Sequence, residues 1–402
     1  MTQPLSGIVV VDASRVLAGP LCGQILGDHG ADVIKVEAPV GDECRAFGPP
    51  VEHGSSAYFN AVNRNKRSVV LDMTRPADRD AFEALVARAD VLIENFKAST
   101  LRSWGFADPG EFTRRYPRLV HCRITGFGDD GPLGGLPGYD AAVQAIAGLM
   151  SVNGEPDGPP VRLGSPIVDL TTGMNAALAV VLALQERAKS GRGQMADVTL
   201  YDSAVSMAHP YLANHISTGE PTRRVGNGHP NIVPYNVFET TTVPLFIAVA
   251  NNRQFAHLCD LLGCPELPTR PDFATNPARV ENRDALEAEL VPRFKAIDGT
   301  ELGAALLERG VPSAPINSVD TVAHAPHTLH RNMVVNTPDY RGPGVPITFT
   351  RTPPSIRRGA PRLGADQAEI LADIGLRPQD LTEPDTTDST ADPAASADGS
   401  RT

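Results

Sequence analysis

Asp169 is the carboxylate whose neighbours in the chain best suit chemistry. It stands in Gly164-Ser165-Pro166-Ile167-Val168-Asp169-Leu170-Thr171-Thr172-Gly173, apolar on one side and small or hydroxylic on the other. Residues 171–189 are rich in Ala and Leu and read as a long helix with hydroxyl caps at its start. Asp169 would lie at the mouth of that helix, with two roles open to it. One is an ordinary helix cap. The other is a carboxylate held ionised by the helix dipole and aimed at a ligand. In a water-poor pocket such a carboxylate is a competent nucleophile toward an activated acyl group.

Other motifs promise less. Residues 126–131 match G-x-G-x-x-G behind a predicted strand. A dinucleotide fingerprint needs a helix N-terminus directly behind its glycines. Here Pro132, Gly134, Gly135 and Pro137 follow, and Asp129 and Asp130 would repel phosphate, so a mobile loop covering a site is expected. His324, His327 and His330 recur every third residue, but Pro326 reads as a helix breaker and no carboxylate or cysteine has matching spacing. A solvated linker is expected there, and no metal. HExxH, GxSxG and Walker sequences do not occur. The basic run Asn63-Arg64-Asn65-Lys66-Arg67 stays open between a solvated turn and a phosphate anchor.

The elements that must position these residues alternate. Apolar runs at 8–11, 33–37, 68–72, 91–94 and 119–125 read as strands, with helices predicted over 20–30 and 76–89. Fully apolar strands alternating with helices argue for an α/β fold with a parallel sheet covered on both faces. Further helices are predicted over 139–150, 252–262, 283–296, 302–309 and 365–374, strands over 236–250, and a returning strand over 345–350. The expected organisation is a discontinuous large domain, 1–205 and 346–379, with linkers at 206–224 and 321–345. A smaller α+β domain occupies 225–320, and a disordered acidic tail 380–402.

Composition narrows the class. The formal charge of −11, of which the segment from Asp380 onward supplies −5, argues against a nucleic-acid or anionic-membrane partner. Five cysteines, an odd number without a CxxC pair, suit a reduced cytoplasmic chain. The N-terminus shows no basic region or cleavage site, so no signal peptide is expected. The longest apolar run, residues 174–184, reads as too short and Ala-rich to span a bilayer.

Several ordered patches carry a resemblance. They include LSGIVVVDASRVLAGPLCGQILGDHGADVIKVEAP, NRNKRSVVLDM, ADVLIENF, RITGFGDDGP, GYDAAVQAIAGLM, GSPIVDLTTGMNAALAVVLAL, SGRGQMADVTLYDS and GNGHPNIVPYNVF. From Leu5 to about Leu376 the chain resembles the class III CoA-transferases of the formyl-CoA and carnitine type, a family that includes the α-methylacyl-CoA racemases. The resemblance implies that Asp169 is the catalytic aspartate. It would attack a donor acyl-CoA thioester, form an aspartyl mixed anhydride and release CoA, with no metal or redox cofactor. The acceptor carboxylate would then leave as a new CoA thioester. The CoA nucleotide would lie on a Rossmann-like domain against Val16, Leu17 and Ala18, Leu71, Asp72, Met73 and Thr74, and Asn95, Phe96 and Lys97. Tyr139 and Asp140 would be nearby. Lys97 suits the pyrophosphate by charge. An interlocked homodimer is implied as well.

The sequence departs from that family at named places. Ala38 and Ser103 replace basic residues of many relatives, which shifts the expected nucleotide affinity to Lys97 and the 63–67 cluster. Leu17 replaces the glutamine of formyl-CoA transferases, and their glycine-run lid is missing, so oxalate is not the expected acceptor. Residues 239–244 lack the Asp-Gly hairpin of relatives. The racemase alternative needs a second acid–base group, usually a histidine where this chain has Tyr139. Tyrosine, with an unperturbed pKa of about 10, is a poor neutral-pH base. The transferase reading is therefore preferred. A succinyl-like donor is expected, its distal carboxylate met by Arg223, Arg224 or His229.

Overall fold

The computed structural model describes residues 2–381 apart from residue 53; the acidic tail beyond 381 lies outside the described residues. The chain divides into two compact units. Within the described residues, the first comprises 2–135, Thr172–Val198 and 335–381, and the second Leu136–Thr171 and Thr199–Val334.

In the first unit, β1 (Val9–Asp12), α1 (Ala18–Asp28), β2 (Asp32–Glu37), β3 (Lys66–Val70), α2 (Pro76–Arg88), β4 (Val91–Glu94) and β5 (Val120–Thr125) follow the expected alternation. The β3 strand begins at Lys66, two residues before the predicted run. With β6 (Met195–Thr199) at the edge, the sheet order is β3-β2-β1-β4-β5-β6. The pairings from β3 through β5 are all parallel. This is the doubly wound nucleotide-binding order, reversing direction between β1 and β4. Val11, Ile34, Val69 and Leu92 from the sheet pack with Phe82 and Leu85 of α2. Burial of each large apolar side chain contributes about 1.5–3 kcal/mol. Ile370 and Leu371 of the returning helix Gln367–Asp373 join the same core.

The second unit contains α3 (Asp140–Ile146) and, after the helix α4 (Ile167–Ser190) and β6, α5 (Leu200–Met207). Its antiparallel sheet pairs β7 (Tyr235–Phe238), β8 (Leu245–Ala248) and a third strand, Ser313–Pro315. Phe255 and Leu258 of the helix Asn252–Leu261 pack there with Leu286, Leu290 and Phe294 of the helix Arg283–Phe294. In place of the Asp-Gly hairpin, Thr240 closes the turn between β7 and β8, donating to the Val243 carbonyl at 2.7 Å. Residues 136–171, expected in the large domain, cluster here because α3 packs on α5 and buries Val143 completely.

Several expected elements differ. Segment 206–224, read as a linker, contains the helix Tyr211–Thr218. Segment 321–345 contains most of Val319–His324 and all of Pro326–His330. Pro326 does not break a helix; it opens one at the N1 position, where its missing N–H costs nothing. The strand expected over 345–350 does not form: Pro346 has no N–H to offer a ladder, and Val334–Asn336 pairs instead with Arg341–Pro343.

Helix α4 begins at Ile167, four residues before the predicted start, so Asp169 lies inside its first turn. A Cβ on Gly173 would lie 2.6 Å from the Ala18 carbonyl oxygen, so only glycine lets α4 approach the start of α1 so closely. With 24 residues and a mean hydropathy of 1.8 in its most apolar stretch, α4 is long and apolar enough to cross a membrane by length and composition, contrary to the sequence expectation. Met174, Leu178 and Leu182 form an i, i+4, i+8 stripe on it, exposed by 52, 58 and 60%.

Candidate active site

A cavity of about 480 Å³ lies beyond the carboxyl ends of β1 to β4, at the point of strand reversal. Ligands of doubly wound sheets bind in this crevice. Leu71, Asp72, Met73, Thr74, Asn95, Phe96 and Lys97 all line it. Val16, Leu17 and Ala18 are absent from its lining, where Ala13 and Arg15 represent that loop; Tyr139 and Asp140 belong to the second unit. Sequence reasoning missed Arg15 and Trp104 in this wall. Trp104, the chain's single tryptophan, meets Phe96 edge-on at 4.7 Å. Lys97 and Arg15 are exposed cations in the lining. Asp72 is held below its ordinary pKa by bonds from the Thr74 hydroxyl and amide.

The loop from Ala13 to Ala18 lacks the glycines of nucleotide-binding turns, and side chains fix it instead. Asn95 accepts from the Arg15 amide at 3.1 Å and donates to its carbonyl at 2.9 Å. Buried Asp42 accepts from the Val16 amide at 3.2 Å, and Lys35 donates to both Asp42 and the Ser14 carbonyl at 3.0 Å. The Val16 backbone is left-handed, with φ at 71°. For a β-branched residue that conformation costs about 1–3 kcal/mol and persists only where its surroundings enforce it.

The 63–67 cluster is neither a solvated turn nor a phosphate anchor. Arg64 pairs with Asp28 at 2.6 Å, Lys66 with Asp12 at 2.7 Å, and Arg67 with Asp32, Glu369 and Asp373. Lys66 is fully buried and also donates to the Pro20 carbonyl and Asn63. Its charges are committed inside the chain.

In the second unit, Asp169 is half-buried and faces Asp140 electrostatically. Burial, then the Asp140 charge, pushes its carboxyl up to about 7. Asp140 Oδ2 accepts from the amides of Val168 at 2.8 Å and Asp169 at 3.2 Å, and Oδ1 from Gln144 at 2.6 Å. Asp169 is thus no helix cap; Asp140 performs that task from another helix. A carboxylate of this basicity can act as nucleophile or proton acceptor near neutral pH. Tyr139, directly before α3, is 61% exposed.

The remaining sequence candidates have other contacts. Asp129 of the glycine loop pairs with buried Arg123, and turns rather than a helix follow, as the dinucleotide fingerprint would not allow. Arg224 donates to the carbonyls of Glu155 at 3.1 Å and Gly158 at 2.6 Å, while Arg223 is exposed. The His229 ring lies tilted against Tyr235, with 5.2 Å between centroids; burial, Arg283 and His209 lower its pKa. Among the described residues no three potential metal ligands cluster.

The pattern of CoA-transferase family III matches residues 5–367. The chain belongs to that family. It is 40% identical to a succinate–glutarate CoA-transferase of Agrobacterium fabrum, over 92% of this chain and 96% of the relative. It is 37% identical to an acetyl-CoA:oxalate CoA-transferase of Acetobacter aceti, over 91% and 95%. A solved CAIB/BAIF family protein of Brucella suis shares 40% identity and superposes with a TM-score of 0.82, covering 93% of this chain and all of that one. As a family III enzyme the chain transfers CoA between an acyl-CoA and a carboxylic acid.

Proposed function

We propose that this transferase uses Asp169 as its nucleophile and takes a dicarboxylic donor of the succinyl-CoA type. A carboxylate oxygen of Asp169 bonds to the thioester carbonyl carbon, the C–S bond breaks, and CoA leaves as thiolate. The thiolate then attacks the Asp169 carbonyl, releasing the donor acid and forming an aspartyl–CoA thioester. An acceptor carboxylate reverses the sequence and departs as its own CoA thioester. The observation that carries this reading is a half-buried carboxylate in the first turn of α4 whose basicity is raised to about 7. The named activities of the relatives favour dicarboxylic substrates, Arg223, Arg224 and His229 being candidate partners for the distal carboxylate. The test is a screen of carboxylic acids against succinyl-CoA by mass spectrometry. Glutarate and similar acids should yield new CoA thioesters; no thioester from succinyl-CoA with any acid, where acetyl-CoA does serve as donor, would refute the donor class.

The cavity at the strand reversal is the proposed CoA nucleotide site, with Lys97 and Arg15 toward the pyrophosphate. Because Trp104 is in its wall, CoA should change the protein's only tryptophan emission. Lys97→Ala should raise the dissociation constant read from that signal about 5–10-fold, the loss of one charge-assisted contact. An unchanged constant would remove Lys97 from the site.

The resemblance to interlocked dimers is supported by the apolar stripe of α4, which we propose a second copy covers. Leu178→Asp with Leu182→Asp should yield monomers in light scattering; a monomeric parent would end that proposal.

A further inference from the structure

Asp140 is expected from the resemblance to lie near the nucleotide, yet two of the hydrogen bonds its carboxylate accepts come from the Asp169 segment. It is 8% exposed and accepts three hydrogen bonds: from Gln144 and from the amides of Val168 and Asp169. Gln144 in turn accepts from the Leu163 amide at 2.8 Å, tying the loop before α4 into the same arrangement. Two first-turn amides of α4 are therefore occupied by an anion from α3.

The electrostatic consequence is unusual for a helix start. Free first-turn amides favour an ionised carboxylate beside them. Here Asp140 engages two of them and adds its own charge. Among the described residues, burial and the Asp140 charge are the two influences on the Asp169 carboxyl, and both oppose its ionisation. Arg162 donates to the carbonyls of Leu163 and Gly164. On α5, which packs against α3, the charged residue is Asp202. Along α4 the next charged side chain is Glu186, more than four turns away.

We propose that Asp140 is a positioning residue that clamps the Asp169 backbone and makes Asp169 the poorer leaving group of the mixed anhydride, directing CoA thiolate to the Asp169 carbonyl. This rests on the nucleophile reading above. The anhydride offers thiolate two carbonyl carbons. Attack on the substrate carbon expels Asp169 and regenerates the donor. Attack on the Asp169 carbon expels the substrate acid and leaves the aspartyl–CoA thioester. In each case one C–S bond forms, one C–O bond breaks, and the electron pair departs with a carboxylate. The weaker base leaves more readily. An ordinary carboxylic acid titrates near 4, whereas burial and Asp140 bring Asp169 to about 7.

The test is Asp140→Asn, which keeps an oxygen to accept from the two amides. Carboxyl-carbon NMR titration should show the Asp169 midpoint falling by at least one pH unit, with the acid limb of kcat/KM following it. With acyl-CoA and no acceptor, the parent should release about one equivalent of donor acid per site. The variant should release several-fold less, with less adduct on the Asp169 peptide. An adduct with unchanged burst and midpoint in a folded variant overturns the proposal. No adduct on parental Asp169 overturns the nucleophile reading, and the partition with it, even if the midpoint is near 7. Should the variant not fold, the parent decides: an Asp169 midpoint near 4 overturns the proposal, and one near 7 coupled to Asp140 supports it.

Discussion

Asp169→Asn is expected to lower turnover roughly 10⁴-fold or more, because the amide cannot form the anhydride on which the transfer depends. CoA binding, followed by Trp104 emission, should stay within about twofold of the parent. The parent's acid limb in kcat/KM should rise with pH through about 7, since only ionised Asp169 is nucleophilic. A stability change of definite sign accompanies this. The folded pKa lies above the unfolded value of about 4, so between those values the folded protein keeps a proton that the unfolded chain has released. Stability therefore falls as pH rises from about 4 to 7, and the penalty is complete above 7. Asparagine has no proton to lose. The variant should be more stable than the parent at pH 8 by about 1–3 kcal/mol, allowing for partial solvent screening, with the difference closing by pH 4. Denaturation at both pH values measures it. A variant that retains turnover, or shows no gain at pH 8, would remove Asp169 from the reaction or remove the strain assigned to it.

The strands of the parallel sheet were legible because they are buried on both faces: Val91, Leu92 and Ile93 are wholly inaccessible, so the code there is simply continuous apolarity. The start of α4 was not legible. Local hydroxyls at Thr171 and Thr172 suggested a cap, whereas the acceptor for Val168 lies 28 residues earlier, at Asp140. The same distance effect hid the role of Arg64 and Lys66, whose partners Asp28 and Asp12 lie 36 and 54 residues away. Asp72, Asn95 and Lys97 could be placed at one cavity from the resemblance, since strand ends fix them. Trp104 and Arg15 needed the cavity itself. A lone tryptophan in 402 residues was the available signal for the first.

Lys35→Met should destabilise the first unit by about 3–5 kcal/mol, the usual cost of leaving one buried charge without its partner. Lys35 and Asp42 have no exposed side-chain surface, and 3.0 Å separates Nζ from Oδ2. Burial alone would push the Lys35 pKa down; Asp12, Asp42 and Glu37 overcome it and raise the ammonium above its ordinary value. Burial likewise opposes ionisation of Asp42, and Lys35 reverses the direction. The two shifts agree that Lys35 and Asp42 each favour the other's charge, within a buried cluster in which Asp12 also supports Lys35. Methionine preserves most of the volume, so the loss should be electrostatic rather than a cavity effect. Asp42→Asn in the same chain should then restore about half or more of the lost stability, because the stranded charge is gone. The geometry adds a functional readout. Asp42 holds the amide of left-handed Val16, and Arg15 beside it lines the proposed CoA cavity. The single variant should therefore weaken CoA binding more than turnover at saturating substrate. A double-mutant cycle from urea unfolding decides the energetic claim. Additive losses would mean that Lys35 and Asp42 contribute independently, and the account of a charge-fixed loop in place of a glycine-rich one would fail.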